Sequence, residues 1–336
     1  MSTRVLGEIK AKGESAASAI TILYIAGQGR SGSTVLSAML GTHSGFWPVG
    51  EIRGVWQAIR TDELCGCGRR FSECAFWHEV GDRAFGGWEN VDSEHMIRVD
   101  AGFARHRSVH RLLLPPLRTR AADSLRAYAE VLTGLYAAVK QVSGCSVIVD
   151  STKDPPYAFI LREVESVDLR VVHLVRDSRG VAYSWAKEDV ERPEYANHPS
   201  LRSTFMKSQA TWRSALEWDA KNALSHWLGV TGVPRLLIRY EELASAPSAV
   251  MGRVLAFSRM EGSDAPNQGG EAESRHEYES LPHHTLGGNR VRFDRGLVRL
   301  RPDLEWRKAM DRRQRLLVTA LTFPFLYRYG YVRIDR

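Results

Sequence analysis

The chain has 336 residues, of which 43% are hydrophobic and 25% charged, a balance that excludes a disordered tail, a collagen or a repeat array and fits a large globular α/β protein. Lysine and arginine number 46 against 39 acidic residues, a formal charge of +7, which favours anionic partners without naming them. Four cysteines, Cys65, Cys67, Cys74 and Cys145, are too few for a disulfide scaffold at this length.

Residues 1–18 are polar with mixed charge and show neither the basic n-region nor the apolar h-region of a secretory signal. They read as a flexible tail. The apolar run that follows, Ile20–Ala26, is far short of the roughly 20 residues a membrane span needs, so a cytoplasmic chain is expected. Further β-rich runs occur at Ser146–Asp150, Leu169–Val175 and Arg235–Tyr240, with helical patterns between them. Continuous apolar runs separated by helices predict a parallel sheet buried on both faces, an α/β fold within one domain spanning 1–336.

Two segments interrupt that pattern. Residues 92–143 predict a helical cap insertion. Leu125, Tyr128, Leu132, Leu135, Tyr136 and Val139 recur at helical spacing, and Arg98, Arg105, Arg107, Arg111, Arg118 and Arg120 lie upstream around Pro115-Pro116. Residues 259–280 are polar, glycine-rich and nearly free of aliphatic side chains, and predict a mobile loop or lid. Trp212, Trp218 and Trp227 fall in a helical stretch and read as core residues.

Directly after the first run comes Gly27-Gln28-Gly29-Arg30-Ser31-Gly32-Ser33-Thr34, then the helical VLSAML. This is the phosphate-loop pattern at every fixed position except that Ser33 stands where the lysine belongs. Such a turn aims backbone N–H groups and the positive end of a helix at one point, where an anionic oxygen cluster satisfies them. A kinase would need the missing lysine on its β- and γ-phosphates, together with Mg²⁺. Here the cation stands earlier, at Arg30, which suits a donor whose transferred group carries less charge than a γ-phosphate. A second anion site is expected after Leu169–Val175, where Arg176 ends the run and Ser184 follows eight positions later on the next helix. The basic pI also raises a nucleic-acid-binding reading, but no helix-turn-helix, finger or base-stacking motif supports it.

The loop GRSGST, the segment VRDSRGVAYSW at Val175–Trp185 and RYEEL at Arg239–Leu243 together resemble the sulfotransferases that use 3′-phosphoadenosine 5′-phosphosulfate (PAPS). The resemblance spans most of the chain and implies their P-loop type fold. It also implies that Arg30, Ser31, Gly32, Ser33 and Thr34 hold the 5′-phosphosulfate, that Arg176 and Ser184 hold the 3′-phosphate, and that Tyr240 lies near the adenine. The stretch His284–Phe293 is similar to the glycine-asparagine segment that closes over the 3′-phosphate in bacterial members, bringing Gly288, Asn289 and Arg292. It departs from them in having Arg290 in the usual proline position.

Sulfuryl transfer to a hydroxyl needs a base on the acceptor oxygen and positive charge on the oxygen that leaves. Glu51, in the turn Trp47-Pro48-Val49-Gly50-Glu51-Ile52-Arg53, is expected as the base by its similarity to the Gly-Glu of the tyrosine-sulfating members; the bland alternative is a surface carboxylate paired with Arg53. Lys153, before Asp154-Pro155, resembles their lysine that supports the leaving phosphate or the sulfonate, and with Arg30 it would make the positive clamp that lets this class work without a metal. His173, His283 and His284 are the competing bases, with His173 inside an apolar run and so a core candidate. Cys65, Cys67, Cys74 and His78 could ligate zinc, but C-x-C lacks the usual spacing of structural sites, and a reduced or locally bridged cluster near the acceptor pocket is expected instead. The acceptor is expected to be a small-molecule, sugar or lipid hydroxyl and not a protein tyrosine.

Overall fold

Alternation within the first apolar run decides the architecture. In β1 (Ile20–Ala26) all seven residues are buried. Ile20, Ile22, Tyr24 and Ala26 enter one core cluster, while Leu23 and Ile25 enter another on the opposite face. A strand that is apolar on both faces must be covered on both, which is the condition of a central strand in a parallel sheet. The computed structural model, which describes residues 19–104, 115–164, 166–187, 208–258 and 277–333, places β1 at the middle of five parallel strands. β2 (Phe46–Gly50), β3 (Val147–Lys153), β4 (Val167–Val175) and β5 (Arg235–Arg239) complete the sheet in the order β2-β3-β1-β4-β5.

One face of the sheet carries α1 (Ser33–Gly41), whose Leu36, Met39 and Leu40 pack with Val172, Leu174 and Ile238. The other face carries α2 (Val55–Thr61), α3 (Ala75–Phe85), α4 (Ser93–Phe103) and α5 (Pro115–Ser143). The six α5 residues singled out by helical spacing, Leu125 to Val139, are all buried. The arginines upstream divide: Arg98 on α4 is exposed beside Glu94, whereas 105–114 lie outside the described residues, as do 1–18.

Strand β2 was not legible as a strand, because it is short and holds Pro48. A proline is tolerated there since β2 is an edge strand, and its outer side is capped by a parallel bridge between Gly50 and Leu286. The 259–280 segment is corrected at its end. Glu277–Ser280 form β6, antiparallel to β7 (Gly296–Arg299), because Tyr278 and Ser280 turn inward while Glu279 stays in solvent; residues 259–276 lie outside the described residues. The tryptophan reading is corrected too. Of the three on the helix Thr211–Val230, Trp218 is buried but Trp212 and Trp227 are half exposed, since Trp227 lies about 2.5 turns beyond Trp218, on the opposite side of the helix.

Asp150 in β3 is fully buried and accepts hydrogen bonds from the Tyr136 hydroxyl at 2.6 Å and the Thr152 amide at 2.8 Å. Burial nonetheless dominates and pushes its carboxyl up to about 6. A carboxyl raised on folding binds its proton more tightly in the native state, so its cost is fully present above pH 6 and is relieved as pH falls toward the unfolded value near 4. The unfolding free energy of the wild type minus that of Asp150→Asn should therefore rise by about 2–3 kcal/mol between pH 7 and pH 4. Urea titrations of both proteins across that range check it, and a pH-independent difference would contradict it.

Candidate active site

Every strand of the parallel sheet delivers a chemically active residue at its carboxyl end, the edge at which ligands bind in open α/β sheets. A cavity of about 740 Å³ opens there, lined by Gly29, Arg30, Gly32, Ser33 and Thr34 after β1, Glu51 after β2, Lys153 at the end of β3, Arg176 and Ser184 after β4, and Tyr240 after β5. Gly287, Gly288 and Asn289 close it from a distant segment.

The loop after β1 is shaped by its glycines. Gly32 has φ +90°, and a Cβ there would stand 2.7 Å from the Tyr240 ring, so only glycine lets the backbone approach this closely. Helix α1 starts at the next residue with no side-chain cap and no acidic residue in its first turn, so nothing on that turn answers the positive helix end. Arg30 and Lys153 are non-glycine residues in left-handed conformations, with φ of 70° and 74°, each costing about 1–2 kcal/mol. Both side chains line the cavity.

Arg176 donates to the Arg30 carbonyl at 2.9 Å, pairs with Asp303 at 3.0 Å and lies 4.7 Å over the Tyr240 ring. Arg30 lies over the ring of Trp185. Both arginines line the cavity, and burial with the neighbouring Arg176 charge pushes the Arg30 guanidinium below its ordinary pKa. Lys153 Nζ donates to Glu51 and to the Ser151 carbonyl. The alternative pairing of Glu51 with Arg53 does not occur: Arg53 binds Asp100 at 2.8 Å and Asp154 at 2.5 Å, and Asp154 also holds Lys221 at 2.7 Å.

These contacts gather cations and a phosphate-type loop at one edge of a five-stranded parallel sheet. Residues 23–264 match the model of the sulfotransferase family. The chain belongs to the sulfotransferase family. Among solved structures similar to this sulfotransferase are two sulfotransferase domains. One, from the Synechococcus PCC 7002 olefin synthase, is 17% identical with 96% of this chain and 98% of that chain covered and a TM-score of 0.47. The other, from the curacin biosynthetic pathway, is 15% identical, with 94% and 99% covered and a TM-score of 0.45. None of the curated proteins matches its sequence. Among the described residues, no helix is long and apolar enough to cross a membrane.

Two sequence-selected residues of the sulfotransferase lie away from the main cavity. Ser31 is buried and does not line it. Arg292 is also buried, its guanidinium donating to the carbonyls of Thr285 and Leu64 at 2.8 Å each, so it ties the closing segment down from behind. Asn289 takes part through its backbone, donating to Thr34 Oγ1 at 3.3 Å. Asp303 was missed altogether; it is an acidic residue in an irregular stretch, with no motif around it.

No histidine lines the cavity among its described residues. His173 is in the core, bound to Asn222 at 2.7 Å and to Arg235 at 3.0 Å, and burial lowers it to about 3. His283 packs edge-on against Trp47, and burial lowers it to about 4. His284 stacks on Phe76 and turns Nδ1 toward Cys74 at 3.1 Å. That contact corrects the spacing argument, since His78 faces Asp82 instead and the cysteines gather around His284. Contact with Cys65 and with His284 draws the Cys74 thiol below its ordinary pKa. No disulfide joins the cysteines.

Proposed function

We propose that this sulfotransferase takes its sulfuryl group from PAPS and delivers it to a hydroxyl of a small-molecule, sugar or lipid acceptor, releasing 3′-phosphoadenosine 5′-phosphate (PAP). The observation that carries the reading is that Arg30 and Arg176, joined by a hydrogen bond beside an uncapped helix start, line the same cavity as Glu51 and Lys153. Positive charge gathered at Arg30 and Arg176 in the wall of one cavity favours bound anions. A nucleotide with phosphates on both 3′ and 5′ positions suits an arrangement in which the loop at 30–34 and the Arg176–Ser184 pair are separate donor groups around one space. Tyr240 and Trp185 offer flat apolar surface next to them.

When bound, PAPS supplies an activated sulfuryl group whose bond to a 5′-phosphate oxygen is the one that breaks. In this reading Glu51 accepts the acceptor's hydroxyl proton as that oxygen bonds to sulfur. Lys153, already on Glu51, and Arg30 hold positive charge near the departing phosphate oxygen. The Arg53–Asp100–Asp154 network acts behind them. It fixes the end of β3 relative to α4, and so fixes where Lys153 stands. Trp56 and Ile97, from α2 and α4, add apolar wall beyond Glu51, which supports an acceptor with an apolar portion.

The nucleotide half is tested by calorimetry in EDTA. Arg176→Ala should weaken PAP by about 1.5–3 kcal/mol, as for loss of a charge-assisted hydrogen bond, and weaken adenosine 5′-phosphosulfate much less. Equal losses for the two ligands would show that Arg176 does not meet the 3′-phosphate.

The chemical half is tested on an acceptor found by screening with labelled PAPS. Under single-turnover conditions Glu51→Gln should slow transfer by roughly 10²–10⁴ with PAP affinity little changed. Transfer at near wild-type speed would remove Glu51 as the base.

A further inference from the structure

The cysteine cluster lies outside the transfer chemistry. We propose that Cys65, Cys67, Cys74 and His284 bind one structural Zn²⁺ ion that staples the 283–289 segment to the 65–74 loop. Their four ligand atoms all lie within 4.8 Å of one another. The Cys65–Cys74 and Cys67–Cys74 sulfurs are 3.7 and 3.8 Å apart. A disulfide would need about 2.05 Å, whereas two sulfurs on a tetrahedral zinc with bonds of about 2.3 Å stand about 3.8 Å apart. His284 Nδ1 lies 3.1 Å from Cys74 and 4.0 Å from Cys65; the corresponding tetrahedral edge of about 3.5 Å falls between them. Three thiolates and one imidazole make a closed set without an open position, as structural sites have.

The surroundings hold the ligand set in place. Cys65 and Cys74 are buried, and the Trp77 indole donates to the His284 carbonyl at 3.0 Å, fixing the backbone that carries the imidazole. Arg292 and Arg295 set their guanidinium groups on the carbonyls of Leu64 and Gly66, on either side of Cys65. The short C-x-C spacing is workable because of Gly66, where a Cβ would come within 2.3 Å of Thr285 Oγ1 and 2.6 Å of the His283 carbonyl. The turn can therefore press directly onto the segment that brings His284. On binding, the three thiols lose their protons to solvent and His284 coordinates through Nδ1 in its neutral form.

The staple has a consequence at the cavity. Two residues beyond His284, Leu286 brackets the base turn: its N–H donates to the Val49 carbonyl at 3.0 Å and its carbonyl accepts from the Glu51 N–H at 2.7 Å. Gly287, next along, donates to Glu63 at 3.1 Å. Ordering His284 thus orders the strip that closes on Glu51 and Thr34.

The full chain, purified without a metal-binding tag from zinc-supplemented cells, should contain about one zinc per chain by plasma mass spectrometry. Cys74→Ser and His284→Ala should each lower that content at least about five-fold, and His78→Ala should leave it unchanged. Cobalt added to the zinc-stripped protein should give the intense visible bands of a tetrahedral thiolate site, and His284→Ala should alter them. Wild-type protein with less than about 0.1 zinc per chain and no cobalt bands would overturn the site, whatever the variants do. So would zinc that survives loss of Cys74, zinc lost with His78, or a disulfide among Cys65, Cys67 and Cys74 in freshly isolated protein.

Discussion

Bringing four cations to the rim of one cavity is the constraint on which the rest of this structure depends. Arg30, Arg53, Lys153 and Arg176 all line it, and each would cost several kcal/mol if buried without a partner. The fold answers three of them with carboxylates. Asp100 and Asp154 take Arg53, Glu51 takes Lys153, and Asp303 with the Arg30 carbonyl takes Arg176. Burial, and then the neighbouring Arg176 charge, lower the Arg30 pKa. A site assembled in this way is poised for an anion, and the left-handed backbones of Arg30 and Lys153 are the strain accepted to aim charge into it.

The parallel sheet makes that assembly possible. Its strands end at one edge, so residues more than a hundred positions apart arrive together without long reaching side chains. What the sheet does not supply is closure on the β2 side, where an edge strand with Pro48 leaves backbone groups to be met. The 283–289 segment meets them through Leu286 and carries Gly288 and Asn289 to the phosphate-type loop. Under the proposed reading, the cysteine cluster and the base turn are then two ends of one mechanical unit.

How much of this was legible in the sequence follows from how local each signal is. The loop Gly27–Thr34 announces itself because strand, glycine turn and helix are contiguous. Arg176 with Ser184, and Lys153 before Asp154-Pro155, are read in the same way from the ends of apolar runs. Strand β2 was lost because its five residues contain a proline, and Glu277–Ser280 because their polar composition hides an inward-facing alternation. Asp303 and the His284 partnership were out of reach for a different reason. Asp303 meets Arg176 across 127 positions and His284 meets Cys74 across 210, and only tertiary structure selects His284 over the nearer His78. Arg292 shows the converse limit: the likeness of its segment to the one that closes over the 3′-phosphate in bacterial members suggested a ligand contact, whereas in this structure its buried guanidinium donates to backbone carbonyls.

The central claim is that one cavity receives both phosphates of a 3′,5′-bisphosphorylated adenosine, and the crystal structure of the full chain with PAP tests it most directly. The account predicts the 5′-phosphate on the backbone N–H groups of Gly32–Thr34 and the 3′-phosphate on Arg176 and Ser184, with the Asp303 carboxylate displaced from Arg176 by the incoming charge. A 3′-phosphate bound elsewhere, with Arg176 still paired to Asp303, would contradict it.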